Sequence, residues 1–104
     1  RPAGVLQERL RLGKVTIEPA KKLVELNDKP IKLSRKEYGL LEYLAFNGGQ
    51  TLSKNQIIEH VWDFDADVLD NTVEVFVRNL RKKLGEDIIQ TVRGFGYRIG
   101  EVVE

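Results

Sequence analysis

A run of acidic residues near the middle of the chain has the spacing of a calcium-binding loop. Residues 63–74 read DFDADVLDNTVE, with carboxylates at Asp63, Asp65 and Asp67 and with Glu74 at the twelfth position. EF-hand loops place oxygen ligands at these positions, but their sixth position needs a glycine for the sharp turn, and Val68 stands there. We therefore expect this segment to connect two helices, and we expect no metal or cofactor site.

The charges that follow the acidic run are mostly positive. Between residues 78 and 98, acidic side chains occur only at Glu86 and Asp87, and the basic ones are Arg78, Arg81, Lys82, Lys83, Arg93 and Arg98. Because the whole chain has a net charge of only +1, this local asymmetry carries the information. It suggests that one face binds a polyanion.

Catalytic and membrane functions find little support in the composition. The chain has no cysteine and one histidine, His60, and no serine or acid stands beside a base, so we expect no enzyme. No apolar run reaches the length of a membrane span, and no signal peptide is visible. The lack of cysteine fits a cytoplasmic protein. Since the first residue is not Met, we expect a piece of a longer chain.

Capping boxes mark the starts of two helices. Ser34 is followed three residues later by Glu37, and Ser53 is followed by Gln56. In such a box the serine oxygen accepts from the third backbone N–H of the helix, and the Glu or Gln side chain accepts from the serine N–H. Apolar residues recur at helical spacing after each box, so a longer first helix and a short second helix ending near Trp62 are predicted.

A third helix is predicted over residues 71–84. Asn71 can cap it, and Glu74 at its third position favours the positive end of the helix dipole. A buried stripe at helical spacing is formed by Val73, Val77, Leu80 and Leu84. The polar side has Arg78, Arg81 and Lys82, which can neutralise phosphates, and Asn79, which can reach base edges. A solvated amphipathic helix without a ligand is the alternative.

Strands flank the three helices. Alternating residues at 89–93 and 95–99 around Gly94 predict a β-hairpin, and Arg93 at its tip puts a cation on a thin loop that suits a minor groove. Residues 12–33 predict an antiparallel meander of three short strands, and residues 1–11 read as a linker. The order of elements is that of an α+β winged helix, covering residues 12–102, with the hairpin as its wing (residues 88–99).

Four segments carry a resemblance to a known family: LSRKEYGLLEYL, SKNQIIEHVW, VEVFVRNLRKKLG and TVRGFGYR. They resemble the effector domain of OmpR/PhoB-type response regulators, over residues 12–99. The resemblance implies a winged helix behind a four-stranded N-terminal sheet. It also implies a bacterial two-component transcription factor, in which a receiver domain is phosphorylated on an aspartate. The effector domain would then bind tandem repeats of double-stranded DNA, often as a head-to-tail dimer.

The resemblance also implies roles for individual residues. It implies base-facing positions at Thr72, Glu74 and Asn79, and it makes Arg93 the wing arginine that enters the minor groove. It implies phosphate contacts at Trp62, Asn71, Phe76, Arg78, Arg81, Thr91 and Tyr97. For Trp62, Thr91 and Tyr97 a purely structural role is the alternative.

Three positions depart from the common family pattern. Asn71 and Asn79 stand where arginine is often found, and Phe76 replaces a frequent histidine. A phenyl ring cannot hydrogen-bond a phosphate. An asparagine amide can pair with adenine through two hydrogen bonds, so Asn79 predicts an operator different from that of an arginine-bearing relative.

Two alternatives stay open on function. The resemblance makes the acidic connection with Asp63, Asp65 and Asp67 a transactivation loop that can contact RNA polymerase, whereas a solvated linker needs no partner. The alternative to DNA binding is a winged helix that serves only protein–protein contact. Such a module would not need a convergent set of basic residues on one side of the domain, namely Arg78, Arg81, Lys82 and Arg93.

Overall fold

An antiparallel sheet of four strands opens the fold. The computed structural model describes residues 9–62, 68 and 71–103, so Asp63, Asp65 and Asp67 lie outside the described residues. The sheet has the order β1 (Leu10–Leu12), β2 (Val15–Glu18), β3 (Leu23–Leu26) and β4 (Lys29–Pro30). Four strands agree with the family resemblance, whereas the local alternation predicted three. The structure places Leu10 and Arg11 in a strand, although the sequence assigned residues 1–11 to a linker.

The last turn of this sheet explains where β4 lies. Leu26 pairs with Lys29, which leaves Asn27 and Asp28 as a two-residue turn. Both turn residues have positive φ, at 54° and 66°. Hairpin turns of this kind favour Asn and Asp because these residues tolerate the left-handed region. The fourth strand therefore begins earlier than the apolar residues Ile31 and Leu33 indicated.

Three helical segments follow the sheet. They are α1 (Arg35–Phe46), α2 (Lys54–Ile57) and α3 (Thr72–Leu84). Both predicted capping boxes are confirmed, with Ser34 Oγ accepting from Glu37 N at 3.2 Å and Ser53 Oγ accepting from Gln56 N at 3.1 Å.

The second helix differs from its prediction because it changes its winding. After α2 the chain continues as a π-helix over Ile58–Trp62. A π-helix bonds each residue to the fifth one along the chain. The wider turn brings Trp62 onto the same face as Ile57, and both are buried. Helical spacing in the sequence predicts a helix here but not this local change of period.

Asn71 occupies the N-cap position of α3, but its side chain makes no capping hydrogen bond. The backbone of Asn71 has φ −95° and ψ 9°, whereas an N-cap residue usually has an extended backbone. The predicted side-chain cap at Asn71 is therefore wrong. Glu74 does lie in the first turn of α3, as predicted.

The chain closes with the wing hairpin. It consists of β5 (Gln90–Val92) and β6 (Gly96–Arg98), in which Thr91 pairs with Tyr97. Leu52 forms an isolated β-bridge to this hairpin, since its N–H donates to Tyr97 O at 2.8 Å and its carbonyl accepts from Tyr97 N at 2.9 Å. The predicted winged helix is thus confirmed.

One hydrophobic core joins the sheet, the three helices and the wing. All four residues of the predicted α3 stripe are buried in it, together with residues of α1, β2 and the wing such as Leu40, Leu41, Leu44, Ile17, Ile89 and Ile99. The sheet and the wing are therefore attached to the same face of α3, which leaves the other faces of that helix outside the core.

A charged pair holds α3 against α1. Glu37 is the buried charged residue in the described part of the chain, and its Oε1 accepts from Lys83 Nζ at 2.7 Å and from Ser34 N at 2.9 Å. Burial raises the pKa of the Glu37 carboxyl. The hydrogen bonds from Lys83 and Ser34 and the Lys83 charge outweigh that effect, so the pKa lies below its ordinary value of 4.5.

We predict that Glu37→Gln lowers the free energy of unfolding by about 1–3 kcal/mol near neutral pH, because the amide keeps the capping box but not the charge. When the pKa of a carboxyl is lower in the folded state than in the unfolded state, its ionised form stabilises the fold at pH values above the unfolded-state pKa. This stabilisation is lost as the pH falls through the folded-state pKa. Urea titrations at about pH 7 and about pH 3 should therefore show the difference shrinking in acid.

Glu18→Gln is the matched control, because Glu18 pairs with Lys21 at 3.7 Å and the Lys21 side chain is 70% exposed. Such surface pairs contribute about 1 kcal/mol or less. A Glu37→Gln difference of the same size at both pH values would contradict the assigned role of the Glu37–Lys83 pair.

Candidate nucleic-acid interface

The third helix is fixed along both of its flanks. One flank carries Glu74 and Arg81, and the other carries Phe76 and Lys83. Residues seven apart lie on the same side of an α-helix, two turns from each other. Each flank therefore has two attachment points, and together they determine how α3 is rotated about its axis.

On the first flank, Glu74 is attached to the start of α2. Lys54 Nζ donates to Glu74 Oε2 at 3.1 Å. The other carboxylate oxygen, Oε1, is buried and has no hydrogen-bond partner among the described residues. Burial raises the pKa of the Glu74 carboxyl, but the Glu74 backbone N–H and Lys54 outweigh it, so the pKa is lowered and the group stays ionised.

Arg81, on the same flank, attaches the wing. Its guanidinium donates twice to the carbonyl of Ile89, from Nε at 3.1 Å and from Nη2 at 2.7 Å. Nη2 also donates to Thr91 Oγ1 at 3.0 Å. Arg81 therefore ties α3 to the first strand of the wing. The resemblance implied a phosphate contact for both residues, and the structure shows them bonded to each other.

The second flank packs on the π-helix and on α1. The rings of Phe76 and Trp62 meet edge to face, with centroids 5.0 Å apart and an interplanar angle of 86°. Trp62 is 7% exposed and belongs to the core. Phe76 thus packs α3 against the π-helix, a role that suits a phenyl ring. The ring has no group that could hydrogen-bond a phosphate.

The side of α3 that faces away from the core remains available for a ligand. We call the outer face the four residues Val75, Arg78, Asn79 and Lys82. Arg78 and Lys82 are exposed, and Val75 and Asn79 are half-buried. The cations of Arg78 and Lys82 suit phosphates, the short amide of Asn79 suits base edges, and the methyl groups of Val75 suit thymine methyl groups.

At the wing, a glycine lets the hairpin approach α2. Gly96 has φ 151°, and a Cβ there would collide with the carbonyl oxygen of Leu52 and lie 2.8 Å from its carbonyl carbon. The backbone of the wing is thus held directly on Leu52. Arg93 is exposed at the tip of this hairpin, as the sequence predicted.

Tyr97 lies where the two halves of the interface meet. It is 9% exposed and belongs to the core. Burial raises the pKa of its phenol, Glu74 adds to the increase, and Lys54 and Arg81 oppose it. Tyr97 thus lies beside the first flank of α3, between α3 and the wing, where the charges of Glu74, Lys54 and Arg81 act on its phenol.

The structure therefore brings together some of the expected site residues. Glu74, Arg81, Thr91 and Tyr97 form one cluster, while Arg78, Asn79, Lys82 and Arg93 project from it. Sequence reasoning missed Lys54, which joins the cluster from a position 20 residues before Glu74. No local sequence pattern predicts the Lys54–Glu74 ion pair, because it forms only when α2 and α3 pack together.

The described residues offer neither a metal site nor a membrane span. Within residues 9–62, 68 and 71–103, no group of three or more His, Cys, Asp or Glu side chains could hold a metal ion. Over the same ranges no helix is both long and apolar enough for a membrane span.

The comparisons with known proteins agree with this geometry. The family model of the C-terminal domain of transcriptional regulatory proteins matches residues 28–99. The chain belongs to this family. It is 43% identical over 101 residues to the transcriptional regulatory protein QseB of Escherichia coli O157:H7, covering 97% of this chain and 46% of QseB. It therefore spans about half the length of this relative.

Solved structures of this family are similar in fold. The Klebsiella pneumoniae RstA DNA-binding domain, crystallised in complex with the RstA box, has a TM-score of 0.79 at 28% identity and covers 90% of this chain and 98% of that one. The C-terminal effector domain of BfmR from Acinetobacter baumannii has a TM-score of 0.80 at 29% identity, covering 92% and 93%.

We predict that Gly96→Ala detaches the wing from Leu52 and lowers the free energy of unfolding by about 2 kcal/mol or more, through the steric clash and the positive φ. Amide hydrogen exchange at Leu52 and Tyr97 should accelerate. Gly94→Ala is the control, because Gly94 also has positive φ, 84°, but open space around it. Equal costs for the two substitutions would show that the close approach to Leu52 is not what requires glycine.

Proposed function

We propose that the chain binds double-stranded DNA sequence-specifically, as the effector domain of a two-component transcription factor. In this proposal α3 enters the major groove and the wing enters the adjacent minor groove. The observation that carries it is the outer face of α3. Both flanks of the helix are occupied by protein contacts, yet Arg78 and Lys82 on the outer face are left exposed to solvent.

A helix held in this way suits base reading. A major groove admits one α-helix, and base discrimination needs side chains in a defined orientation. The flank contacts supply that orientation before DNA binds. In this orientation the short amide of Asn79, on the outer face, is directed toward the base edges. Thr72, at the first position of α3, lies on the same side of the helix. Arg78, Lys82 and Asn71 are proposed to contact the phosphates beside them.

The wing supplies the second half of the proposed interface. Arg93 is exposed at the tip of a hairpin anchored by Leu52 and Arg81. A narrow minor groove concentrates negative potential and attracts an inserted arginine. Thr91 and Tyr97, between the tip and α3, are proposed to face the intervening phosphates. For Trp62 and Phe76, the packing they make supports the structural interpretation instead.

Partners beyond DNA are proposed from the family alone. The solved RstA domain was crystallised with its DNA box, and QseB is longer than this chain. We infer a receiver domain in the full-length protein and a head-to-tail dimer on tandem repeats. The segment with Asp63, Asp65 and Asp67 is proposed as the RNA polymerase contact, because its carboxylates would repel DNA.

We predict that Arg93→Ala weakens binding to the cognate duplex by about 1–3 kcal/mol and reduces the salt dependence of log K by about one unit, because one phosphate-facing cation is lost. Fluorescence anisotropy over a series of salt concentrations measures both. Circular dichroism should show an unchanged fold. Arg9→Ala, in the N-terminal sheet region, is the control and should bind like the wild type.

The same titration tests the function itself. Wild-type binding that is weak and independent of salt would refute DNA binding and favour a winged helix for protein–protein contact. A strong salt dependence with no effect of Arg93→Ala would preserve DNA binding and exclude an inserted wing.

We predict that Asn79→Ala changes the preferred bases more than the overall affinity, whereas Lys82→Gln lowers affinity evenly across sequences. Asn79 would read base edges, and Lys82 would contact only phosphates. Selection of binding sites from random DNA with each variant gives the consensus sequences. An identical consensus for Asn79→Ala and the wild type would remove Asn79 from the reading surface.

A further inference from the structure

The two halves of the proposed interface are separated by a groove. This wing groove has a volume of about 340 Å³ and lies between the wing and the start of α2. Its lining residues are Lys54, Thr91, Val92, Gly94, Phe95, Gly96 and Tyr97. None of the DNA-contact roles proposed above includes Lys54 or Phe95.

We propose that the wing groove holds the sugar–phosphate strand that separates the major groove from the minor groove. The Phe95 ring packs against a deoxyribose of that strand, and Lys54 Nζ donates to a neighbouring phosphate. This inference rests on the proposed function, and it adds two contact residues to it.

The position of the groove determines which ligand it meets. If α3 lies in the major groove and the wing tip in the adjacent minor groove, one sugar–phosphate strand must pass between them. The wing groove lies in that interval, because Lys54 at one wall contacts Glu74 of α3 and Phe95 at the other wall belongs to the wing tip. A strand in this position is therefore required by the geometry of the two insertions.

Phe95 has no packing role that explains it. It is 74% exposed, the highest value among the exposed large hydrophobic residues of the described chain. Its backbone is nevertheless fixed, since Phe95 N donates to Val92 O at 2.9 Å across the turn. Single exposed apolar residues are common. This one is held on a tight turn beside Arg93, at the end of the wing that the proposed function places against DNA.

Glycine on both sides of Phe95 supports a close approach. Gly94 has nothing within 4 Å of a built Cβ, so the strand can meet the backbone there without obstruction. The two glycines leave the phenyl ring as the only side chain between Arg93 and Tyr97. A strand in the groove would thus find one apolar surface, with the hydroxyl-bearing Thr91 and Tyr97 next to it.

Lys54 supplies the complementary charge. Its ammonium has three N–H groups, and Glu74 Oε2 accepts one of them at 3.1 Å. The Lys54 side chain is 40% exposed, so the remaining donors can reach a ligand in the groove. The contact with Glu74 also limits where the long side chain can go, which reduces the entropy lost when a phosphate binds.

The two residues should respond differently to salt. The probe is the duplex selected by the wild type from random DNA, labelled for fluorescence anisotropy and titrated over a series of KCl concentrations. Phe95→Ala should weaken binding about fivefold without changing the salt slope, since it removes an apolar contact. Lys54→Gln should reduce the slope by about 0.9, as expected for one lost phosphate contact.

Conservative variants and matched controls complete the experiment. Phe95→Leu should retain affinity within about twofold, because it keeps most of the apolar area, and Lys54→Arg should retain the slope. Phe46→Ala removes another exposed phenylalanine, 50% exposed, from outside the groove. Lys22→Gln removes a lysine paired with a glutamate, Glu42 at 3.4 Å, also outside it. Both controls should match the wild type.

Three results would overturn the inference. The first is wild-type affinity in Phe95→Ala, and the second is a changed salt slope in Phe95→Ala, which would indicate a displaced Arg93. The third is an unaltered slope in Lys54→Gln. If any of them is found while Arg93→Ala still weakens binding, the proposed function stands and only the wing groove is excluded. If the wild type itself shows no salt-dependent binding, both proposals fail together.

Discussion

The wing holds its place because residue 96 has no side chain. The carbonyl of Leu52 occupies the space that any Cβ at Gly96 would need, and the next residue, Tyr97, pairs with Leu52 through two backbone hydrogen bonds. Leu52 directly precedes the cap of α2, so the hairpin is fixed to the helical part of the fold by backbone atoms. Arg81 adds a side-chain bond from α3 to Thr91 on the opposite strand of the hairpin. The distance between the wing tip and α3, on which the proposed insertion into two grooves depends, is therefore set by contacts within the protein.

The surface of α3 is divided between packing contacts and the outer face that is proposed to meet DNA. Its apolar stripe enters the core, and its two flanks make directional contacts through Glu74, Arg81, Phe76 and Lys83. Three of these four contacts involve charged side chains, which suits flanks that are only partly buried, because long charged side chains can cover apolar surface and still reach water. Charge-assisted hydrogen bonds also fix orientation better than apolar contacts do. Basic residues on α3 are consequently of two kinds, because Arg81 and Lys83 make such contacts, whereas Arg78 and Lys82 make none with the described residues.

Sequence patterns predicted the elements whose signals are local. The two capping boxes, the apolar stripe of α3 and the glycine-centred hairpin each lie within a few residues, and all are confirmed. Features formed by distant segments were missed. Strand β1 is held by β2 and by Val103 near the other end of the chain, and Lys54 meets Glu74 only after two helices have packed. The basic residues were predicted as one set, but the sequence alone does not separate Arg81, which binds the wing, from Arg78, which is exposed.

The environment of Glu74 limits how this protein can read DNA. The family resemblance implies that Glu74 faces the bases, yet its carboxylate lies on the flank of α3, bonded to Lys54 and with one buried oxygen that has no partner among the described residues. An ionised carboxylate can accept from the amino group of cytosine, but it also repels phosphates. The bond to Lys54 offsets that repulsion while the protein is free. If Lys54 also binds a phosphate in the wing groove, as proposed, Glu74 shares the Lys54 charge with that phosphate and gains most from a base that donates a hydrogen bond. A base preference at Glu74 and a phosphate contact at Lys54 would then be physically coupled, through the ion pair between α2 and α3.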